Sequence, residues 1–297
     1  MQNAIINVKG QILNPDQAKI SVFDRGYLYG DSLYEVVRSY HGEFYLLDEH
    51  LGRLKASANL CHMTLDQNIS TYKSEILRTF QVFKSRPENR KLEAYARIII
   101  SRGVGKIGFG LDCLETPPLY TIIIQPVEPP TQAQYKKGMR VQITRRIRND
   151  RRALDPAMKS GNYLNSVLAY LEANAAGYTD ALLTNSEGHI TEGTTFNVFY
   201  VKRGILATPP LDVGILEGVT RRKVMELSRI LQIPCREVRF PKERLFDADE
   251  VFLSSSIKEV FPITQIDSVK IGTGAPGPIT ERLHQAYRDS LPQRTHK

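Results

Sequence analysis

The sequence has few cysteines and lacks the features of secreted and membrane proteins. Its three cysteines, Cys61, Cys113 and Cys235, are far apart and form no CxxC pair, which disfavours a disulfide framework and a thiolate metal site. The N-terminal MQNAIINVKGQI has no basic segment before a long apolar run. No apolar run approaches the roughly 18 residues that a transmembrane helix needs. We expect a cytoplasmic protein that has no metal site and does not span a membrane.

Composition and charge describe an ordinary globular protein. The 297 residues are 41% hydrophobic and 24% charged, and the length exceeds what single cores usually reach, so we expect two domains. The net charge of +8 favours anionic ligands. The densest basic stretch, RRIRNDRR from Arg145 to Arg152, has no nucleic-acid motif or aromatic array beside it. We interpret it as a solvated face and predict no nucleic-acid partner.

The first part of the chain is predicted to be an α+β module, residues 1–125. AIINVKGQILN and LYEVVRSYHGEFYLL each place strand-like runs around a short glycine-containing turn. DEHLGRLKASANL follows as a helix with Asp48 as a candidate N-cap, and KLEAYARIIIS and LYTIIIQPV are the last strands. Two prolines in a polar stretch predict an interdomain linker at residues 126–133.

Residues 134–297 form the predicted larger domain. Strands DALLTN, HITEG, FNVFYVKRG and DEVFLSSS alternate with the helical segment TRRKVMELSRIL, which predicts a mixed sheet or barrel with packed helices. An earlier amphipathic helix is predicted in GNYLNSVLAYLEANAAG, where apolar residues recur with a period of about 3.6 at Leu164, Val167, Leu168, Leu171 and Ala175.

A glycine pattern, Gly103, Gly105 and Gly108 in GVGKIG, matches the dinucleotide fingerprint GxGxxG after a strand. That fingerprint requires a helix whose N-terminus meets a pyrophosphate, but FGLDCLETPP with its double proline follows here. We therefore predict a glycine loop near a ligand and no Rossmann fold.

Lys159, in MKSGNYLNS, is the first candidate catalytic residue. A lone lysine is usually a surface charge, but we expect Lys159 to open a helix with Tyr163 four residues later, on the same side of one turn. Schiff-base chemistry needs an amine in buried, cationic surroundings, and a phenol can bind a cofactor's ring oxygen. A lysine and tyrosine pair on an outer helix face is the alternative.

Two further motifs contain candidate cofactor ligands. Glu192 in ITEGTTFNVF could pair with a pyridinium nitrogen, or could be a solvated turn residue. In GILEGVTRRKV, Gly218 and Thr220 stand where a helix begins, and its N–H groups and dipole suit a phosphate, although such capping sequences are common. Arg53 on the early helix could supply a mobile charge for the same phosphate.

These segments, in this order, resemble class IV aminotransferases, the fold-type IV pyridoxal-phosphate enzymes. The resemblance covers nearly the whole chain, from FDRGYLYGDSLYEVVR through EHLGRL, RIIISRGVG, KSGNYLN, ITEGTTFNVF and GILEGVTR to FLSSSIKEVFPI. It implies a small N-terminal α/β sandwich and a larger C-terminal β-barrel-like domain with flanking helices, with pyridoxal 5′-phosphate between them. Lys159 would carry the cofactor as a Schiff base, Glu192 would pair with its ring nitrogen, and Tyr163 would contact its ring oxygen. The other implied cofactor-binding residues are Arg53, Leu216, Gly218, Val219, Thr220, Ser255 and Ser256.

The residues that would bind substrate favour two different substrate classes. Strand alternation places Tyr34, Val36 and Arg38 on one face of LYEVVRSY, and Tyr95 and Arg97 on one face of EAYARII. Tyr29, Tyr95 and Arg97 match positions that branched-chain enzymes use around the substrate carboxylate, and RGVGKIGFG, which includes Gly108, resembles their loop. In contrast, Val36 replaces the glycine of the family's FEG, as in D-amino acid enzymes, whose RxH motif is absent. Ile257 is the remaining implied substrate contact.

The sequence therefore predicts a transaminase that moves an amino group from a branched-chain L-amino acid to a 2-oxo acid such as 2-oxoglutarate. The alternatives are a D-amino acid aminotransferase, and then an (R)-amine transaminase or aminodeoxychorismate lyase. A protein that only binds or buffers the cofactor is a hypothesis of a different class. The resemblance also implies a homodimer or higher homo-oligomer, in which Tyr29 reaches the neighbouring subunit's cofactor.

Overall fold

The computed structural model describes residues 3–293, which form two compact units. The first contains residues 3–128, 158–162 and 292–293, and the second contains residues 129–157 and 163–291. The chain first leaves the N-terminal unit between Glu128 and Pro129, inside the stretch predicted as a linker. The short segment 158–162, which carries Lys159, returns to the first unit, a return that no local pattern in the sequence indicated.

The first unit is a two-layer α+β structure. Its six strands form one antiparallel sheet in the order β2-β1-β6-β5-β3-β4. The apolar face of this sheet packs against α2 and α3, and the core between them includes Leu33, Val37, Leu54 and Phe80. The elements are β1 Ile5–Val8, β2 Gln11–Leu13, α1 Arg25–Tyr29, β3 Ser32–Tyr40, β4 Glu43–Phe44, α2 Leu47–Leu60, α3 Ile69–Ser85, β5 Ala94–Ser101 and β6 Leu119–Pro126.

Helix α2 begins one residue before the candidate cap Asp48, so the predicted N-cap is wrong. Leu46 is the capping residue, in the left-handed conformation with φ 56°, and it forms no side-chain cap hydrogen bond. Asp48 and Glu49 lie in the first turn instead, where their charges interact favourably with the helix dipole. Because Leu47 is already helical, Asp48 has no extended residue position from which to cap the helix.

The second unit is a curved mixed sheet flanked by helices, as the alternation of strand and helix segments predicted. Its nine strands follow the order β12-β11-β10-β13-β14-β7-β8-β9, with β15 paired to β14. The elements are α4 Gln132–Lys137, β7 Met139–Ile147, α5 Leu164–Ala175, β8 Asp180–Thr184, β9 Ile190–Gly193, β10 Asn197–Lys202, β11 Ile205–Thr208, α6 Val219–Ile230, β12 Cys235–Glu237, α7 Glu243–Phe246, β13 Glu250–Ser255, β14 Glu259–Ile266, β15 Val269–Lys270 and α8 Pro278–Asp289.

The second sheet curls, so that its end strand β9 contacts β10, which is third from the other end. The Gly193 N–H donates to the Phe196 carbonyl at 2.8 Å across the turn between β9 and β10. Along the sheet, β10 and β9 are separated by β13, β14, β7 and β8. The short turn nevertheless keeps β9 and β10 close together, so the strands between them follow a curve. The strand ends at this turn carry Glu192 and Asn197, so the curl places both side chains at one edge of the sheet.

The predicted amphipathic helix is present as α5, but its stripe of large apolar residues is mostly exposed. Leu164 and Leu171 are 68% and 54% exposed, whereas the buried residues of the helix are Ser166, Ala169 and Ala173. The small side chains let α5 approach β7 and β8 closely. The short distance between helix and sheet gives close van der Waals packing without large apolar side chains. The helix therefore presents its large apolar residues away from this sheet.

The described residues carry no membrane-spanning helix and no clustered metal ligands. Within residues 3–293, no helix is long and apolar enough to cross a bilayer. The same residues contain no group of three or more His, Cys, Asp or Glu side chains arranged to hold a metal ion. All three cysteines are free, and burial raises the pKa of the Cys61 and Cys235 thiols. These two thiols are thus less reactive than exposed ones.

Candidate active site

Lys159 lies in an extended segment that pairs with β3. The Tyr34 N–H donates to the Lys159 carbonyl at 3.0 Å, and the Gly161 N–H donates to the Ser32 carbonyl at 2.7 Å. The Lys159 N–H in turn donates to the Ser57 hydroxyl of α2 at 3.1 Å. The backbone on both sides of the lysine is therefore held by strand-type hydrogen bonds, and its side chain leaves from a rigid position.

The expectation that Lys159 and Tyr163 share one helical turn is wrong. Helix α5 begins at Leu164 with Tyr163 as its N-cap. The residues between lysine and tyrosine are extended or bent, and Ser160 forms an antiparallel bridge with Leu33. Pairing with β3 uses the backbone groups that a helix would need, so it excludes helix formation here.

The amine of Lys159 contacts an aromatic ring. Its Nζ lies 4.5 Å from the centroid of the Tyr34 ring, and the guanidinium carbon of Arg97 lies 4.5 Å from the same centroid. Tyr34 is buried and Lys159 is half-buried. Both contacts are within cation–π range. Tyr34 thus orients two basic side chains from different parts of the sequence.

The predicted substrate-side residues of β3 and β5 share one face of the sheet. Val36 is directly opposite Arg97, and Arg38 is directly opposite Tyr95. Their neighbours along each strand point into the apolar core on the other face, so the predicted alternation is confirmed. Arg38 is buried. A face with two guanidinium groups and tyrosine side chains is suited to bind carboxylates.

On the opposite face of β3, Glu35 joins two residues of α2. Its carboxylate accepts from Arg53 Nε at 2.7 Å and Nη2 at 2.9 Å, and it contacts His50 Nδ1 at 2.8 Å. Burial alone would raise the pKa of Glu35, but the charge and hydrogen bonds of Arg53 and the His50 contact hold this pKa well below its usual range. Arg53 is consequently held in place by Glu35, and the prediction of a mobile arginine is wrong.

We expect this cluster to make the fold sensitive to acid. Burial lowers the pKa of His50 from its usual 6.5 despite the Glu35 contact, so the unfolded chain takes up a proton at a higher pH than the folded one. The contribution of His50 to the free energy of unfolding should be fully present above about pH 6.5. It should decrease as the pH falls from there toward the lowered pKa of His50 in the folded protein. The melting temperature of wild type measured between pH 7.5 and 5 should therefore decrease.

The matched variant for this test is His50→Gln, which retains a hydrogen-bond donor for Glu35 but does not titrate. We expect it to lose less stability between pH 7 and 5 than wild type. Both proteins should lose stability further below about pH 4.5, where the carboxyl of Glu35 takes up a proton in the unfolded chain. Equal losses in the two proteins between pH 7 and 5 would show that His50 is not responsible.

A second group of predicted substrate residues meets in the glycine loop after β5. The Gly108 N–H donates to the Tyr29 hydroxyl at 3.1 Å, and Phe109 packs against the Tyr29 ring. Buried Arg25 donates from both terminal nitrogens to the carbonyls of residues 108, 109 and 110, each at 3.2 Å. Only a three-residue 3-10 turn, Leu111–Cys113, follows the loop, in agreement with the exclusion of a Rossmann fold.

In the second unit, Glu192 is buried at the end of β9. Its Oε1 accepts from Arg148 Nε at 3.0 Å, and Arg148 Nη2 lies 2.9 Å from the same oxygen. Its Oε2 accepts from Asn197 Nδ2 at 3.2 Å and from the Leu216 N–H at 3.1 Å. Hydrogen bonds and a cationic partner offset the cost of burying this carboxylate. The alternative of a solvated turn glutamate is therefore wrong.

The start of α6 has the geometry of an anion site. Gly218 is its N-cap residue, and within the described part of the chain no side chain caps this helix. The first N–H groups of a helix, here those of Val219 and Thr220, have no acceptor within the helix, and the dipole favours an anion there. A Cβ at Gly218 would lie 2.0 Å from the Asn197 Oδ1, so a larger residue here would require the Asn197 side chain to move.

The strand beside Asn197 adds a hydroxyl without a protein partner. Ser254 is directly opposite Asn197 on β13, and its buried Oγ has no hydrogen-bond partner among residues 3–293. Ser256 and Ile257 lie in the turn that follows β13, and the Ser255 hydroxyl accepts from the Lys258 N–H at 3.1 Å. The second unit thus contains the buried carboxylate of Glu192, the N-terminus of α6 and the Ser254 hydroxyl. These groups fit a ligand that has a basic ring nitrogen and a phosphate, as pyridoxal 5′-phosphate does.

Several residues at these places were missed from the sequence. Arg148 stands in the basic run RRIRNDRR that was interpreted as a solvated face, although its side chain is only 16% exposed. Asn197 stands inside the quoted motif ITEGTTFNVF, and Glu35 inside YEV. An acidic residue between the strand residues Tyr34 and Val36 was a usable indication for Glu35, because an unpaired buried carboxylate is costly.

Comparison with known proteins gives a family and several relatives of similar length. The family model described as amino-transferase class IV matches residues 32–266. A putative branched-chain-amino-acid aminotransferase of Methanocaldococcus jannaschii is 36% identical, with 96% of this chain and 95% of the relative covered. A D-alanine aminotransferase of Bacillus licheniformis is 32% identical, with 97% of each covered. The solved branched-chain amino acid aminotransferase of T.th. with pyridoxamine 5′-phosphate is 28% identical and has a TM-score of 0.88, covering 98% of this chain and 95% of its own.

These similarities confirm the family resemblance, the fold class and the enzyme class that the sequence predicted. The prediction of pyridoxal 5′-phosphate as cofactor is confirmed as well, because it is the cofactor of this family. The roles of individual site residues stay predictions. By its matching family model and by relatives that span its length, this chain belongs to the class IV aminotransferases, a family of pyridoxal-phosphate enzymes.

Proposed function

We propose that this enzyme transfers the amino group of a branched-chain L-amino acid to a 2-oxo acid such as 2-oxoglutarate. The observation that carries the proposal is the Lys159 amine against the Tyr34 ring, which Arg97 also contacts, at the face of the sheet that bears Arg38 and Tyr95. An amine, two guanidinium groups and phenols provide a proton carrier and partners for substrate carboxylates. The branched-chain names of several relatives support the same substrate class.

Each part of the cofactor has a proposed partner in this chain. When bound, pyridoxal 5′-phosphate supplies the electron sink that makes the Cα proton of an amino acid removable. Lys159 is the proposed attachment point, and its Nζ carries the proton at Cα. Glu192 binds the ring nitrogen and Tyr163 the ring oxygen. Arg53, Val219, Thr220 and Ser256 bind the phosphate through guanidinium, N–H or hydroxyl groups, and Leu216, Gly218 and Ser255 are the remaining cofactor-binding residues.

The proposed substrate residues divide into carboxylate partners and pocket walls. Tyr29, Tyr95 and Arg97 bind carboxylate groups by hydrogen bonds and charge, and Arg38 adds a second guanidinium. The glycine loop at Gly108, anchored by Arg25, closes on the ligand. Tyr34, Val36 and Ile257 form the remaining walls of the pocket, and their size limits the substrate side chain that can bind.

A D-amino acid aminotransferase is the second candidate, favoured by Val36. This branched side chain stands directly opposite Arg97, where a glycine would leave room for a substrate side chain. D-Alanine aminotransferases are also among the relatives that span the chain. A smaller pocket beside the same guanidinium would favour a small donor. An (R)-amine transaminase or a lyase has no comparable observation in its support.

The half-reaction with single donors tests this proposal. The cofactor-loaded enzyme is mixed with L- or D-leucine, L- or D-alanine, L- or D-glutamate, or (R)-phenylethylamine, and the visible-edge absorbance of the lysine-bound cofactor is followed. We expect L-leucine to bleach this band at least about tenfold faster than D-leucine, because one wrongly placed carboxylate or side chain costs more than about 1.4 kcal/mol.

Faster bleaching by D-alanine than by either leucine would reject the branched-chain proposal in favour of the second candidate. Bleaching only by (R)-phenylethylamine would reject both. A band that no donor bleaches would indicate a protein that binds the cofactor without turnover.

We also propose a homodimer or higher homo-oligomer located in the cytoplasm. Large apolar side chains are exposed at two places. In the first unit they are Ile107, Phe109 and Leu111 of the glycine loop, and in the second they are Leu164, Val167 and Leu171 of α5. Contiguous exposed apolar surface is typical of subunit interfaces. The three free cysteines agree with a reducing compartment.

A further inference from the structure

We propose that Arg148 and Asn197 are positioning residues for Glu192. Neither residue is expected to touch the reacting atoms. Arg148 holds the carboxylate at the ring end, and Asn197 sets its distance from the N–H groups at the start of α6 that bind the phosphate. The inference rests on the proposed function, in which Glu192 and the α6 N-terminus bind the two ends of one cofactor.

Arg148 holds one oxygen of Glu192. Its Nε and Nη2 both lie within 3.0 Å of Oε1, and the side chains of Arg148 and Glu192 are 16% and 6% exposed. The Arg148 N–H also donates to the Thr184 carbonyl at 2.8 Å, which ties the arginine to β8. Two buried opposite charges with good geometry stabilise each other, and loss of one leaves the other uncompensated. Arg148 therefore fixes both the charge and the position of the carboxylate.

Asn197 holds the other oxygen and connects it to the loop before α6. Its Nδ2 donates to Glu192 Oε2 at 3.2 Å and to the Leu216 carbonyl at 3.0 Å. The Leu216 N–H donates to the same Oε2 at 3.1 Å. One amide side chain and one peptide unit thus join the carboxylate to the chain two residues before the helix N-cap.

The carbonyl end of the same side chain contacts the N-cap itself. A Cβ at Gly218 would lie 2.0 Å from Asn197 Oδ1, so the asparagine occupies the space beside that glycine. Asn197 therefore touches both the carboxylate and the first residue of the phosphate-binding turn. Because the ring and the phosphate of the cofactor are joined at a nearly constant length, an error in this spacing would weaken one contact whenever the other is made.

Two ligands that differ only in the phosphate separate the two roles. The probes are pyridoxal 5′-phosphate and pyridoxal, titrated into apo-enzyme in protein fluorescence and calorimetry. The ratio of their dissociation constants measures the gain from the phosphate. Arg148→Met should weaken both ligands by roughly 10- to 100-fold and leave the ratio within about twofold of wild type, because the change acts at the ring end alone.

Asn197→Ala should lower the ratio itself. We expect pyridoxal 5′-phosphate to bind at least about tenfold less well relative to pyridoxal than in wild type, because the phosphate turn is no longer registered with Glu192. Arg148→Lys retains the charge but not the two-nitrogen contact, so its affinities should fall between those of wild type and Arg148→Met. The control is Arg152→Met, since Arg152 belongs to the same basic run but is 89% exposed, and its ion pair with Asp150 lies at the surface.

A spectroscopic readout distinguishes positioning from general stability. With cofactor labelled with ¹⁵N in the ring, the chemical shift of the nitrogen reports its hydrogen bond to Glu192, and this shift should differ between Arg148→Met and Arg152→Met because only the first variant displaces the carboxylate. Circular dichroism and melting temperature report whether each variant is folded. If Arg148→Met does not fold, the milder Arg148→Lys carries the same comparison.

Unchanged affinities in Arg148→Met and Arg148→Lys, or an unchanged ratio in Asn197→Ala, would overturn the inference. In that case wild type would still bind the cofactor and complete the half-reaction, so the proposed function would stand. Failure of the wild-type apo-enzyme to prefer pyridoxal 5′-phosphate over pyridoxal would instead overturn the proposed function, and the inference with it.

Discussion

Replacement of Lys159 by alanine should lower transamination by at least about 10³-fold, because no other group is proposed to carry the Cα proton. The variant should still fold. The hydrogen bonds that hold this segment against β3 and α2 come from its backbone, and alanine retains them all. Loss of activity would therefore report on the amine. Turnover and the visible-edge absorbance of the lysine-bound cofactor are the measurements.

Borohydride reduction followed by mass spectrometry locates the attachment. Wild type should gain the mass of one reduced cofactor on the peptide that contains Lys159, and Lys159→Ala should gain none. Lys55→Ala is a suitable control, since Lys55 is exposed on α2. Retention of both the absorbance and the turnover in Lys159→Ala would remove the basis of the assignment.

The second large effect is expected from Glu192→Gln. The amide has nearly the shape of the carboxylate but lacks its charge, so the cofactor's ring nitrogen loses its anionic partner, and turnover should fall by about 10²-fold or more. Stability should fall too, by on the order of 3 kcal/mol, because the buried Arg148 guanidinium is left without its partner. Steady-state kinetics and urea unfolding measure the two losses.

The double variant Glu192→Gln with Arg148→Met separates these two effects. Removal of the uncompensated arginine should restore a large part of the lost stability, since both charges are then absent. It should not restore turnover, which depends on the carboxylate. Recovery of activity together with stability would mean that Glu192 acts only as a structural partner of Arg148.

The substrate face shows why alternation within a strand was a reliable guide. Tyr34, Val36 and Arg38 share a face because successive residues of any strand point to opposite sides. The same rule placed Tyr95 and Arg97, and the register of β3 against β5 then put the two groups side by side. The sequence predicted each face, while the pairing of Val36 with Arg97 depended on how two strands far apart in the chain align.

Burial was the quantity that local patterns predicted least well. Leu164 and Leu171 have the spacing of a core-facing stripe, but α5 packs through Ala169 and Ala173. Arg148 has the neighbours of a solvated residue, but it pairs with Glu192. In both cases the environment is provided by residues remote in sequence, so no window around the residue contains the information.

Lys159 illustrates the division between sequence and structure. The order of short motifs along the chain determined the family and the cofactor and predicted Lys159 as the attachment point, because chemistry requires particular side chains and these are visible in the sequence. Tertiary structure alone decided that this lysine lies in an extended segment on β3, and that Glu35 holds Arg53 while Arg148 and Asn197 hold Glu192. These contacts join residues that are distant along the chain, and their energies depend on burial and on distances of about 3 Å that only the folded chain establishes.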